Sequence, residues 1–214
     1  MLTKRLTKIT SVLPPCEVLA DVGCDHGYVG IEALERGIAK RVVFVDVSAP
    51  SLDKARQNCP EQYLPFVKFV CCDGLGDIVC DAAIIAGMGG LEIMSILDNA
   101  KVLPDKLVLQ PMRNQRDVRK YLTHNYEIIT DEKFHDYKFY DLIVAEKRDT
   151  PTNLTEMELE FGKTNLTNPS QDFADYLESE LTKLKNIPIF SSDAALQARA
   201  KLLRQLLADI SAKY

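Results

Sequence analysis

The chain has 214 residues, of which 46% are hydrophobic and 27% charged, with a formal net charge of −5. That length suits one full domain and a smaller appendage, and the acidic balance means that any nucleic-acid partner needs a local basic face. No apolar run approaches ~20 residues, which excludes a transmembrane helix and a membrane partner of that kind. None of the six cysteines forms a C-x-x-C pair and there are three histidines, so no metal site is expected. The cysteines are expected as buried thiols in a reducing cytoplasm.

The opening MLTKRLTKITSVL predicts an amphipathic helix rather than a signal peptide, with Leu2, Leu6, Ile9 and Leu13 on one face. Strands are expected at residues 18–22, 41–47, 67–71, 81–86, 106–110, 126–131 and 141–146. Helices are expected between them at 27–37, 50–59, 91–101 and 114–124. The run VVFV before Asp46 is apolar at every position, as a strand buried on both faces requires. This alternation predicts an α/β fold, a Rossmann-like sheet wrapped by helices. The last two strands have only the polar HDYKFYD between them and are expected as an antiparallel hairpin at one edge.

Near Arg148 the pattern changes, and DTPTN reads as a linker and helix entry. The expected division is 1–148 and 149–214, the second part a small α-helical, coiled-coil-like domain. Its helices are expected at 154–166, 170–187 and 192–213. Leu196, Ala200, Leu203, Leu207 and Ile210 form a heptad-like seam, matched by Leu177, Leu181 and Leu184. An antiparallel helical hairpin follows, its last helix roughly 33 Å long at 1.5 Å per residue.

Ligands of open α/β sheets sit beyond the carboxyl ends of the strands. At the first such end, LADVGCDHGYVGIEAL carries Asp21, Gly23, Asp25 and Gly27. The glycines Gly23, Gly27 and Gly30 are spaced four and three, a poor fit to the dinucleotide pattern G-x-G-x-x-G. Small residues there let the backbone approach a ligand, and helix-start N–H groups face it. Asp25 suits a cationic ligand, or is simply an acid at a helix start. Asp46 follows Gly27 by 19 residues and can accept both hydroxyls of a ribose. Its alternative role is to cap the next helix, which Ser48 is also placed to do. CCDGL offers Asp73 and Gly74, as a ligand contact or as an Asp-Gly turn. IIAGMGGLEIM places Gly87, Gly89 and Gly90 around Met88 before a helix.

The pattern D-x-G-x-D-x-G resembles the first motif of class I S-adenosylmethionine-dependent methyltransferases, [DE]-x-G-x-G-x-G, with Asp25 in place of the middle glycine. The N-P-P-Y-like stretch of many amino-methylating members is absent. Taken in order, LADVGCDHGYVGIEAL, FVDVS, CDGL, IAGMGG, LQPMRN and the helical tail resemble the bacterial tRNA (adenine-22-N1)-methyltransferase family. The resemblance implies a cytoplasmic, magnesium-independent transfer of methyl from S-adenosylmethionine to N1 of adenine 22 in tRNA. It implies a catalytic Rossmann-like domain and a helical domain that helps hold the tRNA. Cofactor contacts would come from Asp21, Gly23, Asp25, His26, Gly27, Asp46, Val47, Asp73, Gly74 and Ala86. Asp73 matches the position that meets the adenine amino group, and His26 is expected as a cofactor or structural contact rather than a base.

Target placement is expected from Gly87, Met88, Gln110 and Asn114, although Asn114 is equally a helix N-cap candidate. Met112 is expected to pack. Phosphate contacts are expected from Lys4, Arg5 and Lys8 and from Arg113, Arg116, Arg119 and Lys120, each of which also reads as a solvated helix face. Tyr137, Phe139 and Tyr140 are expected to pack, with base stacking as the alternative. The tail carries fewer cations than acids, so charge alone does not make it an RNA clamp. A monomer is expected. Two competing functions stay open on the residues alone: a small-molecule methyltransferase with a closed apolar pocket, and a non-catalytic cofactor-binding adaptor. A nicotinamide oxidoreductase is disfavoured by the glycine spacing.

Overall fold

A computed structural model describes residues 2–212. Its strands are β1 Cys16–Val22, β2 Ala39–Asp46, β3 Val67–Cys71, β4 Ala82–Met88, β5 Lys106–Pro111, β6 Tyr126–Asp136 and β7 Lys138–Lys147. They form one sheet in the order β3-β2-β1-β4-β5-β7-β6. The first five run parallel, and β7 enters antiparallel between β5 and β6. From β1 the chain builds outward through β2 and β3, then returns to β4 on the other side of β1. The strand order therefore reverses between β1 and β4, which opens a crevice at their carboxyl ends.

Neighbouring residues of one strand serve opposite faces. Phe44, Ile84 and Val108 join one core layer with Ile9 and Leu34. Val45, Ile85 and Leu109 join the other with Ile93 and Val118. This is why VVFV contains no polar residue: the sheet is covered on both faces. The covering helices are α1 Lys4–Ser11, α2 Tyr28–Glu35, α3 Ala49–Asn58, α4 Gly90–Asp98 and α5 Gln115–Leu122. Ser48 caps α3 by accepting from the Ser51 N–H at 3.3 Å.

The edge hairpin is present and longer than expected. HDYKFYD continues both strands, and Tyr137, at φ +60°, makes the turn and is 94% exposed, so it does not pack. Phe134 and Tyr140 stack at 5.5 Å between centroids, and Phe139 meets Tyr176 edge-on at 5.6 Å. Not all thiols are buried: Cys71 is exposed at the end of the edge strand β3, and Cys16 and Cys72 are half-buried.

The tail departs from expectation at its start. One helix was expected over 154–166, but the chain forms α6 Glu156–Phe161 and α7 Lys163–Thr167, broken at Gly162. Gly162 has φ +87°, and a Cβ there would lie 2.7 Å from the Asp131 carboxylate. The break lets the backbone pass close over a buried acid. Beyond it, α8 Gln171–Lys185 and α9 Ala194–Ser211 pack together through Phe173, Leu177 and Leu203. The 18 residues of α9 give about 27 Å, shorter than expected. Lys213, the expected last helical residue, lies outside the described residues.

The junction between sheet and tail corrects one expectation. Arg119 is fully buried and offers nothing to a phosphate. Its guanidinium donates to both oxygens of Asp131, at 2.7 and 2.9 Å, and to Asp141 at 2.6 Å. It also donates to the carbonyls of Leu159 and Glu160 in α6, each at 3.2 Å. Lys133 completes the cluster on Asp141 at 2.6 Å. Arg119 lies on the apolar side of α5 with Val118 and Leu122 buried beside it. Only the acids of β6 and β7, distant in sequence, make a cation tolerable there.

Candidate active site

Two adjoining cavities occupy the crevice at the carboxyl ends of β1, β2 and β4. The first, about 240 Å³, is lined by Arg5 of α1 and by Asp21, Asp25, His26 and Tyr28 of the first loop. The second, about 250 Å³, is lined by Asp46, Val47, Asp73, Gly74, Gly87 and Met88. Val22, Gly23 and Ala86 line both. Each alone is below the roughly 300–1,000 Å³ of a small-molecule site, and together they fall within it. Gly23, at φ +70°, sits where they meet, and a Cβ there would run into the Met88 Sδ–Cε end.

Carboxylates sit along the whole groove. Asp21 is buried and accepts from the Gly30 N–H at 3.0 Å, tying β1 to α2. Burial pushes its carboxyl up to about 7, against the lowering effect of the Gly30 bond, and the nearby Asp46 raises it further. Asp46 accepts from the Ser48 N–H at 2.9 Å and, on its other oxygen, from the Asp25 N–H at 3.2 Å. Each oxygen keeps a second lone pair for a ligand. Asp25 has φ +43°, and its carboxylate meets Lys54 at 3.1 Å and His26 at 3.6 Å. The charge that suited a cationic ligand is therefore largely answered within the protein. His26 stacks parallel on Tyr28 at 5.2 Å.

Among the expected cofactor residues, all but Gly27 line the groove. Gly27 is the N-cap of α2 at φ +70°, and a Cβ there would approach Ala55 Cβ to 2.9 Å and Phe44 to 3.1 Å. It serves the packing of α2 on β2 and α3.

The target side is built by docking two segments. The Met112 N–H donates to the Met88 carbonyl at 2.8 Å, and the Gly90 N–H to the Arg113 carbonyl at 3.0 Å. A Cβ on Gly90 would lie 2.7 Å from that same carbonyl oxygen. AGMGG and QPMRN thus form one surface, with Gly87 at φ +82° where the β4–β5 register shifts. Gln110 is entirely buried, and its Oε1 accepts from Arg5 Nη1 at 2.8 Å. Asn114 occupies the N-cap position of α5 at φ +58° without a capping bond, and its amide donates to Asp117 at 3.0 Å. Gln110 and Asn114 line neither cavity, so they support the target surface rather than face the groove.

The expected phosphate contacts divide. Lys4, Arg113, Arg116 and Lys120 are exposed, although Arg116 pairs with Glu156 and the half-buried Lys8 with Glu132. Arg5 turns inward to Gln110 and the first cavity. A third cavity, about 890 Å³, lies between the β6–β7 turn and α8, with Arg116, His135, Lys138, Tyr176 and Lys183 on its walls. Sequence reasoning did not assign His135, Lys138 and Lys183, which lie outside the two basic clusters. Tyr28 was also missed, although it directly follows Gly27 in the first loop. No signal placed Arg5 in the groove, because its partner Gln110 is 105 residues away. Among the described residues, no group of three or more His, Cys, Asp or Glu is placed to hold a metal, and no helix is long and apolar enough to cross a membrane.

Comparison with known proteins agrees with this geometry. A family model described as a methyltransferase domain matches residues 2–143. A Mycoplasma pneumoniae protein named "Putative tRNA methyltransferase" is 32% identical over 150 residues, covering 66% of this chain and 70% of that protein. The Bacillus subtilis tRNA (adenine(22)-N(1))-methyltransferase is 31% identical over 157 residues, 69% of this chain and 66% of that protein. A Streptococcus pneumoniae crystal structure, named "a putative tRNA (m1A22) methyltransferase, in complex with S-adenosyl-L-methionine", matches with a TM-score of 0.86 at 26% identity. That match covers 97% of this chain and 100% of the other. The chain belongs to the methyltransferase-domain family, and within it to the group of the bacterial tRNA (adenine-22-N1)-methyltransferases.

Proposed function

We propose that this chain transfers a methyl group from S-adenosylmethionine to N1 of adenine 22 in tRNA. The observation that carries this reading is the two-part groove, joined at Gly23 and walled by Asp21 at one end and Asp46 and Asp73 at the other. An amino acid with a cationic ammonium fits the first cavity, and a nucleoside fits the second. When bound, S-adenosylmethionine supplies an electrophilic methyl on a sulfonium.

The rest falls to the chain's own residues. Asp46 accepts from the ribose hydroxyls with its free lone pairs, and Asp73 with Gly74 meets the adenine of the cofactor. Asp21 accepts from the ammonium. Gly23 lets the backbone approach without a side chain in the way. The target adenine N1 has a lone pair in its neutral form, so no base is needed before attack. What it needs is alignment and exclusion of water. The backbone of Gly87, Met88, Gly89 and Gly90 forms the wall that provides both, with carbonyls accepting from the exocyclic amino group. The base must first leave its stack, at a cost of a few kcal/mol.

Lys4, Lys8, Arg113, Arg116 and Lys120 meet phosphates around the groove, and Lys138 and Lys183 extend that basic rim toward the tail. Residues 1–148 are the catalytic domain, and 149–214 hold the tRNA from the side of the third cavity. The protein acts as a monomer in the cytoplasm, where its substrate is. The exposed cations Lys4, Arg113, Arg116 and Lys120 favour a large polyanionic target over a small apolar one.

The test is incubation with radiolabelled S-adenosylmethionine and unmodified tRNA. Label should enter the RNA, and reverse transcription should stop at one adenine of the D arm, because N1-methylation blocks pairing. Failure to label any RNA would refute the reading.

A further inference from the structure

We propose that Tyr137, at the tip of the β6–β7 hairpin, stacks on an unpaired tRNA base next to the methylated one; this rests on the function proposed above. The residue is almost fully exposed and holds φ +60°. That backbone region is one a bulky L-residue avoids, and asparagine or glycine would make the turn without the strain. The neighbouring rings are all engaged: Phe134 stacks on Tyr140, and Phe139 meets Tyr176. Tyr137 has no ring partner among the described residues. A side chain that strains the turn and buries nothing has its use outside the fold.

The surroundings of the ring define its partner. Tyr137 lines the third cavity, whose volume of about 890 Å³ has room for a nucleotide. The acids of that cavity are answered within the protein: Asp141 by Arg119 and Lys133, Glu160 by Arg199, and Glu180 by Lys183. Lys138, the next residue, lies 5.4 Å from the Tyr140 ring centroid and forms no ion pair among the described residues, so its charge is open to a phosphate. An exposed ring beside a free cation is how proteins hold single-stranded nucleic acid: the cation meets the backbone and the ring takes the face of a base. The cavity also reaches the target surface. Met112 lines it, and the Met112 N–H donates at 2.8 Å to the carbonyl of Met88, which lines the cofactor groove. When the target adenine leaves its stack, the adjacent base loses a neighbour. The Tyr137 ring replaces that neighbour.

Filter binding of unmodified tRNA to the full chain separates stacking from charge and from folding. Tyr137→Ala and Tyr137→Gly should each lower affinity by about fivefold or more, whereas Tyr137→Phe, which keeps a ring, should stay within about twofold of wild type. The slope of log affinity against log salt should not change in any of them, because no phosphate contact is lost. Tyr137→Gly should melt at or above the wild-type temperature, since glycine accepts a positive φ, which shows an intact fold. The chain contains no tryptophan, so Tyr137→Trp creates a single fluorescent reporter. Its emission should be quenched by tRNA and not by S-adenosylhomocysteine alone. A loss of affinity under about fivefold in both the alanine and glycine variants would overturn the proposal. So would Tyr137→Trp emission that saturating tRNA leaves unchanged, which would make the tip a protein contact instead. A wild-type protein that neither bound nor methylated tRNA would overturn the functional reading on which it rests.

Discussion

Gly23 and Met88 compete for the same space at the centre of the groove. An alanine at position 23 would bring its Cβ against the Met88 methyl and would hold a φ of +70° that costs an L-residue roughly 1–2 kcal/mol. Gly23→Ala should therefore lose S-adenosylhomocysteine affinity by more than about tenfold, checked by calorimetry. Met88→Ala in the same background should recover part of it, which strain alone would not allow. Asp21 makes a second prediction. Its carboxyl is raised by burial from 3.8 to about 7. The folded state then binds more protons than the unfolded one between those values, so this group's contribution to stability is full below about pH 4 and is lost as pH rises through 7. A ligand ammonium beside it would draw the proton off. Cofactor binding near pH 6.5 should release a proton, seen as a dependence of the calorimetric enthalpy on buffer ionisation, and Asp21→Asn should abolish it. Binding without proton release would separate Asp21 from the ammonium.

At the scale of elements, the buried guanidinium of Arg119 ties α5 to β6, β7 and α6 at once. Burial disfavours the charge on Arg119, and Asp131 and Asp141 outweigh that and hold it firmly protonated. Asp141 is also pushed up by burial, yet Lys133 and Arg119 together hold it below the ordinary carboxylate range. Arg119→Ala would leave two acids buried with one cation between them, a loss of about 3–5 kcal/mol measurable by denaturant titration. If the loss were under about 1 kcal/mol, the cluster would not be what joins the tail to the sheet.

This junction also shows where sequence reading stops. The strands were legible because a sheet covered on both faces leaves VVFV and its neighbours no polar positions. The tail helices were legible from their leucine spacing. The break at Gly162 was not, because its cause is Asp131 on another strand. Arg119 was misplaced for the same reason: a cation on an apolar helix face is read correctly only when its partners are known. Gly27 and Gly23 lie in one loop and have the same φ, yet one packs on Phe44 and the other faces the groove. Loop composition alone does not separate them.

At the scale of the whole molecule, a chain of net charge −5 must bind a polyanion through local placement rather than overall attraction. Arg113 is exposed and its guanidinium lies 3.2 Å from where a Cβ on Gly89 would sit, so Arg113→Ala should weaken tRNA binding and lower the slope of log affinity against log salt by about one. Arg5→Ala should leave that slope unchanged, since its guanidinium faces inward. Filter binding over a range of potassium chloride concentrations distinguishes the two.

The most direct measurement of the central claim is mass spectrometry of nuclease digests from two transcripts of one tRNA, one with adenosine at position 22 and one with guanosine, each incubated with the protein and S-adenosylmethionine. The first should yield 1-methyladenosine in the fragment that contains position 22, and the second none. No methylated nucleoside in either transcript, or equal methylation of both, would contradict it.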